Sequence, residues 1–417
     1  MKPASVFLAD VNLVMGLFKS NSVILDLTKS IESWIIELRR RLHQCPELLY
    51  ELHETSEVVC KTLDTLDVAY QNGIAETGVL ASIGSGDGGC IMLRADMDGL
   101  PIVEEADVEF RSKNEGRMHA CGHDCHTAML LGAAKLLKER EQELPVTVKL
   151  CFQPAEEGGA GGKRMCEQGA MHHPRVNSVF GLHVWPMIPT GRLTGRPGPF
   201  LAATNGFEIR VMGKGGHAAM PHLCADPIVT AAKIVTSLQS IISREQNPFE
   251  PAVLSFTALN ADSAFNVIPS EVTIRGTIRS LSSENKDQLK RRLAEASAGI
   301  AHSDRCEAEF VTLGDDYPVT FNDPDLWERV FGFGEKLVGR GNFEVCDPVL
   351  GGEDFSFYGA YAPSCFVALG CGDETKGCKF GLHHPRFKVD EEALHIGTAL
   401  HLAFVSDHCS SITESGH

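Results

Sequence analysis

The chain has 417 residues, 43% hydrophobic and 22% charged, which supplies a sizeable core and exceeds one average domain. Its 55 acidic against 38 basic residues give a net charge of −17, which argues against a nucleic acid or an anionic membrane as partner. Fourteen cysteines are dispersed from Cys45 to Cys409 without a CxxC pair, so most are expected to be reduced thiols in a reducing, cytoplasmic compartment. The apolar stretch Val6–Phe18 is interrupted by Asp10 and Asn12 and preceded by Lys2 alone, so neither a secretory leader nor a membrane helix is expected.

Ile31, Trp34, Ile35, Leu38 and Leu42 recur at helical spacing and predict a helix over 29–44 that Pro46 ends. His43 near its end reads as a surface or packing histidine. Residues 54–70 repeat the helical pattern. Cys90–Ala95 is a short apolar run, read as a buried strand that delivers Asp96 and Asp98 from its carboxyl end, where α/β sites sit. Met118–His126 (MHACGHDCH) then packs three histidines, two cysteines and an aspartate into nine residues. That density suits a transition metal. The plainer reading is a polar loop before a helix, with Asp124 or Thr127 as its cap. A helix follows from Met129 to about Glu141, and Pro145 breaks it. The strand Val146–Phe152 ends in Gln153-Pro-Ala-Glu156-Glu157-Gly-Gly. Ser178–Val184 is a third strand, with His183 at its end.

Near Arg196-Pro-Gly-Pro199 the composition changes. Strand (Thr204–Met212), helix (Asp226–Arg244), strands (Ala252–Leu259 and Glu271–Ser280), helix (Glu284–Ala301) and strand (Glu307–Leu313) follow in the βαββαβ order of a ferredoxin-like domain. A helix near Asp325–Val338, a Gly-Gly-Glu-Asp turn at 351–354, the strand Cys365–Leu369 and the helix Glu391–Ser406 return to the first pattern. The expected organisation is an α/β catalytic domain in two parts, 20–198 and 314–410, interrupted by an inserted ferredoxin-like domain at 199–313.

Cys121, His123, Glu156 or Glu157, His183 and a histidine of the His383-His384 pair exceed what one tetrahedral ion needs. They suit two ions sharing a ligand, for which a thiolate is a good bridge. Of two adjacent glutamates in an irregular turn, one can ligate while the other stays free as acid and base; alternatively both are surface acids. Asp98 could orient a ligand histidine. His217, in Gly-Lys-Gly-Gly-His-Ala-Ala, is either a functional histidine on a close-approach backbone or a loop residue without a role. Arg279 could hold a substrate carboxylate through its fork or form a surface ion pair.

The segments MHACGHDCHTAMLLGAAKLL, QPAEEGGAGG, GLHVWP, KGGHAAMPH, FNVIPSEVTIRGTIRS and GGEDFSFY resemble the di-metal amidohydrolases. The resemblance is closest to the branch of auxin-conjugate (indole-3-acetyl-amino acid, IAA-amino acid) hydrolases, hippurate hydrolases and N-acyl-amino-acid amidohydrolases, and covers about 30–405. It implies a peptidase-type catalytic domain with an inserted lid that often mediates dimerisation. It further implies two divalent ions (Mn²⁺ or Zn²⁺, with Co²⁺ a further candidate) held by Cys121 as bridge with His123, Glu157, His183 and His383. Glu156 matches the general acid/base. His217 matches a lid histidine that reaches the partner's site in dimeric members. Asn266, Arg279 and the backbone at Gly352 match groups that hold the substrate carboxylate. The reading is hydrolysis of an N-acyl amino acid to an acid and an amino acid. A carboxypeptidase or dipeptidase on the same site, a cysteine hydrolase using Cys121, and a non-catalytic zinc protein stand as rivals.

Overall fold

The computed structural model describes residues 20–84 and 88–415, so Val6–Phe18 lies outside the described residues. The helix expected over 29–44 is α2 (Glu32–His43); a separate helix that sequence reasoning missed, α1 (Asn21–Ser30), precedes it, and the two part at Ile31, which leaves the helical backbone at φ −108° and ψ 7°. Helix α3 (His53–Thr65) ends at Thr65 rather than at 70. There the chain enters an antiparallel hairpin, β1 (Ala69–Ile74) and β2 (Gly78–Ile83), which sequence reasoning missed. Strand β3 (Cys90–Asp96), helix α4 (His123–Lys138) and strands β4 (Thr147–Gln153), β5 (Ser178–Pro189) and β6 (Leu193–Gly195) follow.

The chain divides into two compact units: 1–198 with 321–347 and 354–417, and 199–320 with 348–353. The second contains β7 (Ala203–Met212), α5 (Pro227–Ser240), β8 (Ala252–Asn260), β9 (Glu271–Ser280), α6 (Ser283–Ser303) and β10 (Glu307–Tyr317), in βαββαβ order. Its antiparallel sheet runs β8-β9-β7-β10. Along β9, Val272, Ile274 and Ile278 alternate with less buried residues and pack with Ala231, Ile234, Leu238, Leu289 and Leu293 of the two helices. This unit extends beyond the expected 199–313. Strand β10 continues to Tyr317, and 348–353 returns to pair with its start, Val349 N–H donating to Phe200 O at 2.9 Å.

The first unit resumes with α7 (Pro324–Val338), β11 (Phe343–Val345), β12 (Ser364–Gly372) and α8 (Ala393–Ser415). Its eight-stranded mixed sheet runs β1-β2-β4-β3-β5-β12-β6-β11. Strands β3 and β4 are parallel and buried along their whole length, with Asp96 opposite Gln153, as their unbroken apolar runs require. Helix α4 is buried everywhere except at Lys135 and Lys138, so its apolar residues encircle it rather than form a stripe. A Cβ at Gly132 would lie 3.0 Å from Ile35 and 2.9 Å from Thr398, so α4 passes close to α2 and α8. Among the described residues no helix is long and apolar enough to cross a membrane.

Neither Asp124 nor Thr127 caps α4; its first residue follows Gly122, and no side chain caps it. Asp124 instead joins a buried ionic cluster that also takes in His43, which is not a surface residue. His43 Nδ1 lies 2.7 Å and Arg39 Nε 2.8 Å from Asp124 Oδ2, and His43 Nε2 lies 3.1 Å from Glu104. Burial works against the Asp124 anion, but Arg39 and His43 outweigh it and hold the carboxyl well below its usual range. Asp124→Asn would leave buried Arg39 and His43 short of an anion, and is expected to cost about 3–5 kcal/mol, read from the urea midpoint. Because the folded pKa is depressed, Asp124's contribution is complete above the unfolded carboxylate pKa and is lost as pH falls through the folded value. The gap between wild type and variant therefore narrows in acid. A gap of a few tenths of a kcal/mol at neutral pH would contradict this account.

Candidate metal centre

The site is assembled at the carboxyl ends of β3 and β4, beside His183 on β5 and the start of α4. Cys121, His123 and His183 present one ligand atom each, all within 4.8 Å of one another, and so do Cys121, Glu157 and His383. Cys121 belongs to both groups. Its Sγ lies 3.4 Å from His183 Nε2, and His383 Nε2 lies 3.0 Å from Glu157 Oε1. Of the two adjacent histidines, His383 makes this contact. The ring of His384 stacks on Phe380 at 4.4 Å, and its Nδ1 accepts the Arg386 N–H.

The backbone around these groups is tightly constrained. Gly122 has φ 91°, and a Cβ there would lie 2.3 Å from Val184, so glycine is needed between Cys121 and His123. Ala155 has φ 57°, which turns the chain sharply before Glu156. Asp98 joins the parts: it contacts His123 Nδ1 at 3.2 Å and accepts the Glu156 and Glu157 N–H groups at 3.0 and 3.1 Å. His183 Nδ1 donates to Val184 O at 2.7 Å. With their Nδ1 atoms engaged, His123 and His183 turn Nε2 into the site.

Donor chemistry and electrostatics both fit a cation. Glu157 Oε1 and His123 Nε2 are buried without a hydrogen-bond partner, despite the short approach of His383 to the former. Burial would lower the His123 pKa, yet Asp96, Asp98 and Glu157 raise it to about 10. Burial, then Glu157 and Glu156, push the Cys121 thiol well above its usual range. Carboxylates that raise the pKa of a buried imidazole and add to the effect of burial on a buried thiol call for positive charge, and thiolate, imidazole and carboxylate are the donors that divalent transition ions take.

The profile of peptidase family M20/M25/M40 matches residues 92–407. The chain belongs to this family. An IAA-amino acid hydrolase of Arabidopsis thaliana (ILR1-like 4) is 40% identical over 405 residues, 96% of this chain and 92% of that one. Thermostable carboxypeptidase 2 of Saccharolobus solfataricus is 40% identical over 89% of this chain and 95% of its own. A solved structure from Bacillus subtilis, a dinuclear metal-binding peptidase of the M20 family, superposes with TM-score 0.79 at 32% identity, covering 92% of this chain and 99% of that one. As a member of the M20/M25/M40 family, the protein is a hydrolase acting on amide bonds.

The four remaining expected residues lie in the second unit of this M20/M25/M40 chain. His217 pairs with Val267 in a two-stranded ribbon, the Ala218 N–H donates to Asn266 O, and both His217 and Asn266 are exposed. Arg279 Nη1 donates to Leu350 O at 3.0 Å instead of forming a surface ion pair, and a Cβ on Gly352 would lie 2.7 Å from Thr204. Sequence reasoning missed Arg94, Gln153 and Asp354, which are fully or almost fully buried and hydrogen-bonded to one another. The one available signal was an arginine inside the apolar run CIMLRA. Asp96 does more than end a strand: it contacts Arg94 at 2.9 Å and His126 at 2.5 Å. If His383 rather than His384 is the ligand, His383→Ala lowers the equivalents of Mn²⁺ retained after gel filtration, and His384→Ala leaves them unchanged. The reverse pattern would reassign the ligand.

Proposed function

We propose that the protein is a metal-dependent amidohydrolase that cleaves N-acyl amino acids, IAA-amino acid conjugates among them, to a free acid and an amino acid. The observation that carries this reading is Cys121's membership of two ligand groups, with the Glu156 carboxylate beside them. Cys121 would bridge two divalent ions, His123 and His183 completing one set and Glu157 and His383 the other, with Mn²⁺ or Zn²⁺ and then Co²⁺ as candidates. When bound, such ions polarise the scissile carbonyl and make water more acidic. Glu156 takes a proton from the attacking water and returns it to the departing nitrogen, so the C–N bond breaks to a carboxylate and an amine.

In the same reading Arg279, Asn266 and the backbone at Gly352 hold the substrate carboxylate. The exposed His217 donates to the oxyanion in the site of a second copy, in a homodimer formed through the second unit. Fourteen free thiols support a reducing, cytoplasmic location. The raised Cys121 pKa speaks against a cysteine hydrolase, because the thiolate is the nucleophile. Likeness to a carboxypeptidase keeps small peptides as the second reading.

Glu156→Gln is expected to keep its metal content and lose turnover; activity within a few-fold of wild type would remove Glu156 from the role. Chelation should abolish hydrolysis of acetyl-, benzoyl- and indole-acetyl-amino acids, and Mn²⁺, Zn²⁺ or Co²⁺ should restore it. Rates confined to dipeptides would favour the second reading. His217→Ala is expected to lower kcat by ~10²–10³, the usual loss of an oxyanion donor, and unchanged kcat would sink its assignment.

A further inference from the structure

The Gly-Gly-Glu-Asp turn and the acidic turn are distant in sequence, and a single carboxylate joins them. Gln153 Nε2 lies 2.8 Å from each Asp354 oxygen, and the Gly162 N–H donates to Oδ2 at 2.8 Å. Gln153 precedes and Gly162 follows the segment 154–161, which carries Glu156 and Glu157, so Asp354 grips that segment at both ends. Arg94 braces the grip, donating through Nη2 to Asp354 at 2.8 Å, through Nε to Gln153 at 2.9 Å and through Nη1 to Asp96 at 2.9 Å.

The gripped segment is strained and tightly closed. Ala155 and Ala160 have φ 57° and 53°, a conformation that alanine keeps only where its surroundings hold it. A Cβ on Gly161 would lie 1.6 Å from Pro154 O, and one on Gly162 2.7 Å from Asp354 O. Oxygens of Asp354 and Glu156 also lie within 4.8 Å of each other. Burial raises the Asp354 pKa to about 6 against the pull of Arg94, which leaves an anion to accept these bonds at neutral pH.

We propose that Asp354 is a positioning residue: its buried carboxylate, braced by Arg94, staples 154–161 into the strained form that turns Glu157 to the ligand set and sets the placement of Glu156 beside it. The roles of the two glutamates rest on the function proposed above; the staple itself does not.

The test compares full-length wild type, Asp354→Asn, Gln153→Met and a control, Lys149→Met. Lys149 lies in the same unit, and its ammonium donates to Ala170 O and Pro174 O, each at 3.0 Å. Hydrogen–deuterium exchange of the 154–162 peptide is measured in metal-free protein, followed by Mn²⁺ affinity and kinetics. For both staple variants exchange should accelerate at least about tenfold and Mn²⁺ affinity fall ~10–100-fold, with kcat falling about 10²-fold while KM moves less than about threefold. Lys149→Met should lower the thermal midpoint and change neither the exchange nor the affinity. Wild-type exchange and affinity in a folded Asp354→Asn would overturn the proposal, as would equal changes in Lys149→Met. If Asp354→Asn does not fold, Gln153→Met decides by the same criteria. Exchange is read without substrate or metal, so a wild type inactive on every N-acyl amino acid would refute the proposed function and leave this test standing.

Discussion

Excess buried negative charge is the constraint on which this structure turns. Asp96, Asp98, Glu156 and Asp354 are buried and Glu157 is nearly so, grouped around Cys121 and three buried histidines, His123, His126 and His183, with the Arg94 guanidinium among them as counter-charge. Taking one carboxylate out of water is costly unless charge or hydrogen bonds compensate it, and grouping several is far more so. Those carboxylates raise the His123 pKa, and burial, with Glu157 and Glu156 adding to it, raises that of the Cys121 thiol. Two divalent ions would answer that negative charge directly, and their charge would serve to activate water and a carbonyl.

Holding such a cluster open requires a rigid frame, and the first unit supplies one. Parallel strands β3 and β4 end side by side at Asp96 and Gln153, α4 starts beside them at His123, and β5 passes through with His183. Asp98 and Asp354 then tie irregular backbone to these regular elements, Asp98 through two amides of the acidic turn and Asp354 through that turn's ends. These carboxylates thus fall into two kinds: those whose oxygens are consumed by the frame, and those turned to the cluster around Cys121 and His123. Glu157, with Oε1 lacking a hydrogen-bond partner, is of the second kind.

Much of this was legible before any coordinates. The alternation and turn signals of 199–313 specify a βαββαβ unit, and the Cys-Gly-His, Glu-Glu and strand-end His183 signals nominated side chains that the fold brings together. What escaped has physical causes. The hairpin β1 carries the polar AYQNGI at a sheet edge, where little burial imposes a pattern. His43 read as a surface or packing histidine and Asp124 as a helix cap, because the partners that join them, Asp124 and Glu104 for His43, lie 81 and 61 positions along the chain. Arg94 passed unremarked inside an apolar run, because beyond the nearby Asp96 the groups that hold it, Gln153 and Asp354, arrive 59 and 260 positions later. Long-range charge pairing leaves no local trace in sequence.

The central claim is that one thiolate serves two ions. It is tested most directly by titrating metal-free protein with Co²⁺ while following the sulfur-to-metal charge-transfer absorption, in wild type and in Cys121→Ala. The account predicts two equivalents per chain in wild type, with the band growing on binding, and loss of both the band and tight two-ion binding in the variant. A single equivalent, or two equivalents bound with undiminished affinity by Cys121→Ala, would contradict it.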